Sequence, residues 1–204
     1  MKFYFINDNK YIKDNNVIKV ASNNSDICIK NHLDIINVSS KIKTIIHYNN
    51  NFKNKVIFNL EKLDKKFIDA FIYRILQGIY TFDKYKHQDK KTQTLYFYVP
   101  QMSNENKKNI ISIVYGSYIT RNLINEPSNI STPDKFSKYS RLFFKNIKNV
   151  KVTVFNDVQI RKIGFNLINA VGNSSANKPR FLIIDYSPPK YKKKICLIIL
   201  QKKL

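Results

Sequence analysis

Five apolar residues spaced four apart, Leu63, Phe67, Phe71, Ile75 and Ile79, most constrain what this chain can become. Ile68, Ile72 and Leu76 widen that stripe, so residues 63–82 read as an amphipathic helix with one buried face. Gly78 lies inside it at a cost to helix stability, which points to close packing against a neighbour. The helix is bracketed by two Ile/Val/Phe/Tyr-rich runs, residues 55–60 and 94–99, that read as strands. In the second, Leu95, Phe97 and Val99 alternate with Tyr96 and Tyr98, as expected of a strand covered on both faces. Further strand candidates are residues 2–6, 17–20, 26–29 and 43–48, and residues 82–94 read as a polar, lysine-rich surface loop. The first half is therefore expected to be α/β with a mixed sheet.

A second helix is expected over residues 105–124, started by Ser103 or Asn104 and stopped before Pro127. Pro127 bars Glu126 from continuing it, and Asn129, Ser131 and Thr132 suit a turn. Thr132-Pro133 then forms an N-cap with proline at the first helical position. The helix that follows, to about residue 146, places Phe136, Tyr139 and Phe143 on one face. Residues 150–155 alternate as a strand. A short helix comes next, with Asn156 as N-cap, Gln159 three residues on and Gly164 as the stop. The block from Ala170 through Gly172-Asn173-Ser174-Ser175-Ala176-Asn177 to Pro179 reads as a loop. It feeds strand candidates at 181–186 and 194–199.

These residues also carry a resemblance. Asn122-Leu123-Ile124-Asn125-Glu126-Pro127-Ser128-Asn129 with Thr132-Pro133, and Ala170-Val171-Gly172 with Ser175-Ala176-Asn177 and Pro179-Arg180, resemble segments of the leucyl (cytosol) aminopeptidases. Val154-Phe155-Asn156-Asp157 and Ile160-Arg161-Lys162-Ile163-Gly164-Phe165 lie between them in the family's order, and Leu76-Gln77-Gly78 through Lys86 also has a family look. The resemblance implies an N-terminal α/β domain (1–105), a connecting helix (106–126) and the start of a second α/β domain, the catalytic one (127–204). It implies removal of N-terminal residues from peptide substrates with two divalent metals, manganese or zinc, in a cytoplasmic homo-oligomer, a hexamer in the family.

The family's metal-binding motif, of the type Gly-Lys-Gly-x-Thr-Phe-Asp-Ser-Gly-Gly, has no counterpart here. Residues 194–198 resemble the strand that leads into it, but Lys202 and Lys203 match no ligand. The loss of similarity inside a strand reads as a frameshift or early stop, giving a truncated chain without activity. No catalytic, cofactor-binding or metal-binding residue is therefore assigned. A two-metal hydrolase needs several converging carboxylates, and the chain has 14 acidic residues with no cluster in its second half.

The remaining candidates are weaker. His32, His47 and His87 lack ligand spacing, and His47 is expected as a structural residue in a strand. Glu126 is read as bonding loop amides rather than as a general base, and Arg180 as a strand-edge or subunit-contact residue. Residues 172–177 lack the spacing of a phosphate-binding loop. Asn37-Val38-Ser39 and Asn129-Ile130-Ser131 match glycosylation sequons that matter only after secretion. Cys28 and Cys196 stand apart without metal spacing, as in a reducing compartment. No stretch spans a membrane and the start is too short for a signal peptide, so the chain is expected to be cytoplasmic.

A net charge of +22 raises the alternative of a basic nucleic-acid- or partner-binding module. Against it, Lys65-Lys66, Lys90-Lys91, Lys107-Lys108 and Lys192-Lys193-Lys194 are scattered, with no nucleic-acid motif around them. The abundance of Lys, Asn, Ile, Tyr and Phe, with four Gly and no Trp, matches AT-rich coding bias, and that reading is favoured over nucleic acid.

Overall fold

The structure, a computed structural model, describes residues 2–8, 17–48, 55–86, 94–189 and 195–201. The chain divides into two compact units, Met1–Thr120 and Arg121–Leu204.

The first unit is built on a five-stranded sheet in the order β1-β5-β4-β2-β3. Its strands are β1 (Lys2–Ile6), β2 (Val17–Ala21), β3 (Ile27–Cys28), β4 (Lys55–Asn59) and β5 (Thr94–Tyr98). All four pairings are parallel, whereas a mixed sheet was expected. Between β3 and β4 runs α1 (His32–Tyr48), and between β4 and β5 runs α2 (Lys65–Gly78). A helix returns the chain to the same end of the sheet, which is what parallel neighbours need. Asp64 starts α2, its carboxylate accepting from the Lys66 amide at 3.2 Å.

The apolar stripe of α2 is the core. Phe67, Ile68, Phe71, Ile72, Ile75 and Leu76 are all buried. Phe71 meets Phe58 of β4 edge-on at 5.9 Å, and Phe58 stacks on Phe97 of β5 at 5.5 Å. Each such side chain contributes about 1.5–3 kcal/mol by leaving water. The expected strand at 43–48 is instead the last third of α1. Ile35, Ile42 and Ile46 share one helical face and are buried, so helical periodicity overrode the β-branched composition. His47 therefore sits in a helix. Gly78 does mark a close approach: a Cβ there would lie 2.9 Å from Ile42 Cγ2 and nearer still to the Ser39 carbonyl oxygen. Beside this contact the Lys43 ammonium donates to the Tyr80 carbonyl at 2.9 Å.

Helix α3 (Asn104–Asn125) begins with the Ser103 hydroxyl accepting from the Asn106 amide at 3.2 Å. Within the first unit it lays Tyr115 near Phe3, Ser117 near Tyr73, and Tyr118 against Tyr80, where the Tyr118 hydroxyl donates to the Leu76 carbonyl. Lys107 is buried on this helix, its ammonium donating to Asn7 Oδ1 at 2.8 Å.

The second unit holds α4 (Pro133–Phe144), β6 (Val150–Phe155), α5 (Asp157–Lys162), α6 (Asn166–Asn173), β7 (Arg180–Tyr186) and β8 (Ile195–Gln201). The three strands pair antiparallel in the order β6-β7-β8. Residues 166–173, whose end was expected to be loop, form α6. Helix α4 turns Pro133, Ser137 and Ser140 inward, while Tyr139, Leu142 and Phe143 are exposed.

Candidate functional site

The segments singled out by sequence meet in the second unit. After Asn125 the chain turns on Pro127, whose carbonyl accepts from the Ile130 and Ser131 amides, both at 2.9 Å. Ser131 is buried and its hydroxyl donates to the Leu123 carbonyl at 3.4 Å. Thr132 then caps α4 by accepting from the Lys135 amide at 3.3 Å, with Pro133 in the first turn. Glu126 lies at the end of α3 with its amide donating to the Asn122 carbonyl at 3.1 Å.

Both ends of α5 are specified by local chemistry. Asn156 and Gln159 form a reciprocal capping box, with bonds of 2.9 Å each way. At the other end the Phe165 amide donates to the Ile160 carbonyl at 3.2 Å and the Gly164 amide to the Arg161 carbonyl at 3.0 Å. That is a Schellman stop, and Gly164 supplies the left-handed residue it requires, at φ 83°. The Ala-Val-Gly and Pro-Arg words are joined by packing. Gly172 of α6 abuts the Pro179 ring so tightly that a Cβ would stand 2.6 Å from Pro179 Cβ.

Arg180 opens β7 and is mostly buried. One guanidinium nitrogen donates to Asp134 Oδ1 at 3.2 Å, and the other lies 3.8 Å from Asp157 Oδ1. Lys138 also pairs with Asp134, at 2.7 Å, and Arg161 with Asp157, at 3.1 Å. Three cations thus enclose two carboxylates, and each carboxylate has two cationic partners. The Lys138 ammonium, together with Arg180, holds the Asp134 carboxyl below its ordinary range. Both carboxylates are taken up in ion pairs, and the cluster clamps α4, α5 and β7 together. Arg180 was expected at a strand edge or subunit contact. It does begin a strand, and it binds carboxylates of its own chain.

No other predicted residue joins this cluster. His32 packs edge-on to Phe67 at 5.2 Å, and His87 lies outside the described residues. Clefts of about 280 Å³ beside α1 and α2 and about 360 Å³ beside α2 and α3 are largely apolar in lining. Among the described residues no group of three or more His, Cys, Asp or Glu side chains could hold a metal ion. The described residues therefore bring together no donor set of the kind a two-metal centre needs. Among them also, no helix is long and apolar enough to cross a membrane.

Residues 118–199 match the cytosol aminopeptidase family, catalytic domain. In sequence the chain is similar to the cytosol aminopeptidases. It is 31% identical over 135 residues to a probable cytosol aminopeptidase of Persephonella marina, an alignment covering 63% of this chain and 27% of that protein. To the probable cytosol aminopeptidase of Wigglesworthia glossinidia brevipalpis it is 27% identical over 215 aligned positions, covering 98% of this chain and 42% of the relative. The chain thus spans well under half the length of these two relatives. In fold it is similar to the bottromycin maturation enzyme BotP in complex with Mn, with TM-score 0.65 and 17% identity over 78% of this chain and 34% of that one. A mutant tomato leucine aminopeptidase gives TM-score 0.63 and 13% identity, covering 79% of this chain and 34% of that one.

Proposed function

We propose that residues 1–204 supply the N-terminal domain (1–105), connecting helix (106–126) and opening part of the catalytic domain (127–204) of a metal-dependent aminopeptidase. The whole enzyme would release N-terminal residues from peptides in the cytoplasm, as a homo-oligomer using two manganese or zinc ions. The 204 residues alone would carry none of that activity. The family match over residues 118–199 supports the parentage. The engagement of Asp134 and Asp157 by cations supports the inactivity, because it leaves that cluster no free carboxylate for a metal-activated water. The test is to purify the 204-residue protein, add manganese or zinc in excess, and measure bound metal and hydrolysis of a leucine anilide. Neither stoichiometric metal nor turnover is expected. Metal-dependent turnover that survives removal of host peptidases would overturn the reading.

A further inference from the structure

Lysines and tyrosines that are scattered along the sequence converge on one face of the five-stranded sheet. Phe3 and Phe5 of β1 pack against the core, so Lys2, Tyr4 and Ile6 point to the opposite face, as side chains alternate along a strand. In the parallel register Tyr4 stands beside Tyr96, and Lys2 and Lys55 both stand beside Thr94. The two tyrosines stack across the strands at 5.5 Å with an interplanar angle of 26°. The Lys55 ammonium lies 5.4 Å from the Tyr96 ring centre. Tyr4 is 48% exposed and Lys2 is exposed, while Ile57 and Tyr98 on the same face are buried, so the open part is the β1 side. Strands β1, β2, β4 and β5 contain no Asp or Glu.

We propose that this Tyr4–Tyr96 platform, flanked by Lys2 and Lys55, binds single-stranded nucleic acid. A cross-strand tyrosine pair would suffice for sheet stability with both rings covered; here the outer ring, Tyr4, is about half exposed, and the Lys55 ammonium stands over the inner ring, Tyr96. Unpaired bases stack on such rings irrespective of sequence, and lysines take the phosphates. A duplex keeps its base faces stacked on one another and gains only the electrostatic part. The chain's net charge of +22 supplies the long-range attraction. This inference stands on the sheet face alone and is independent of the peptidase reading.

The experiment uses the full 204-residue chain and a fluorescein-labelled thymidine or uridine oligonucleotide of about twelve residues, within the usual footprint of such platforms. Anisotropy is expected to show binding that weakens with salt, with unlabelled single strand competing better than duplex. Tyr4→Leu is expected to weaken binding about tenfold, the effect of losing one stacked base. Lys138→Gln, a control with the same charge change as Lys55→Gln, is expected to weaken it less than Lys55→Gln does. An oligonucleotide carrying 5-iodouracil, photo-crosslinked to the unmutated protein, is expected to label β1 or β5, which keeps the test valid if Tyr4→Leu disturbs folding. The proposal is overturned by crosslinks confined to other segments, by duplex competing as well as single strand, or by a folded Tyr4→Leu protein that binds as tightly as the parent. Binding of phosphatidylserine vesicles without binding of the oligonucleotide would overturn it equally.

Discussion

Gly172 lies against Pro179 with no room for a methyl group between them: a Cβ would fall 2.6 Å from Pro179 Cβ. Alanine would favour the α6 helix by about 1 kcal/mol, but overpacking a rigid ring costs about 1–3 kcal/mol. Gly172→Ala is therefore expected to destabilise the protein in urea unfolding followed by circular dichroism. The same change made on a Pro179→Ala background should be neutral or stabilising. A destabilisation that persists without the ring would show that the contact is not its cause.

Gly78→Ala should also destabilise, and by more, because the obstruction is backbone. The nearest atom is the Ser39 carbonyl oxygen of α1, and Ile42 Cγ2 follows at 2.9 Å. The helices would have to separate along the core that contains Ile42, Ile75 and Leu76. A loss of about 1–3 kcal/mol is expected, with a lower melting temperature. An unchanged or raised melting temperature would mean that α1 gives way freely.

Acid should weaken the Arg180 clamp through Asp134. Lys138 and Arg180 lower its pKa in the folded state below the 3.8 of an unperturbed carboxyl. The unfolded chain then binds the proton first as pH falls, so the stabilisation is complete above about that value and is lost as pH drops through the folded pKa. The side chain is 44% exposed, and a solvent-screened pair of this kind contributes under about 1 kcal/mol. The stability difference between the parent and Asp134→Asn should shrink as pH falls through this range. A difference that stays flat with pH would remove Asp134 from the clamp's energetics.

Lys107 should shift stability in the same direction at the alkaline end, where a rise in pH again favours the folded state. Burial lowers its pKa below the ordinary 10.5, so the folded state releases its proton before the unfolded state does. Stability should gain with rising pH between the lowered value and 10.5, and the penalty for the buried charge is full below that window. Lys107→Met should abolish that gain, measured as the difference between the two proteins' unfolding curves across the window. Parallel pH profiles for the two would mean the ammonium is hydrated in the folded protein.

Features set by neighbouring residues were legible in the sequence. The Asn156–Gln159 capping box, the Gly164 stop, the Thr132-Pro133 start and the middle of the α2 stripe all depend on side chains within one or two turns, and the structure has each where it was expected. Helix α2 nonetheless runs Lys65–Gly78, shorter than the expected 63–82, and leaves Leu63 and Ile79 outside the helix. Residues 43–48 were misread because Ile and Thr favour strands, while the burial of Ile35, Ile42 and Ile46 on one face decided for a helix. The end of α6 was misread because its Gly and Asn suit a turn in isolation, and Pro179 packing is not visible locally. Arg180 could be flagged, but Asp134 lies 46 residues away. Only the fold brings them together. The Lys2, Tyr4, Lys55 and Tyr96 grouping has the same character, since sheet order and not sequence order makes them neighbours.

Helix α4 is amphipathic the unusual way round. Its small residues Ser137 and Ser140 face inward, their hydroxyls returned to the Asp134 and Phe136 carbonyls at 2.7 and 3.0 Å. Tyr139, Leu142 and Phe143 face out, with Leu142 70% exposed. The helix therefore keeps its greasy side for something other than the core it helps to close, and the second unit carries an adhesive strip along α4 where most surface helices carry charge.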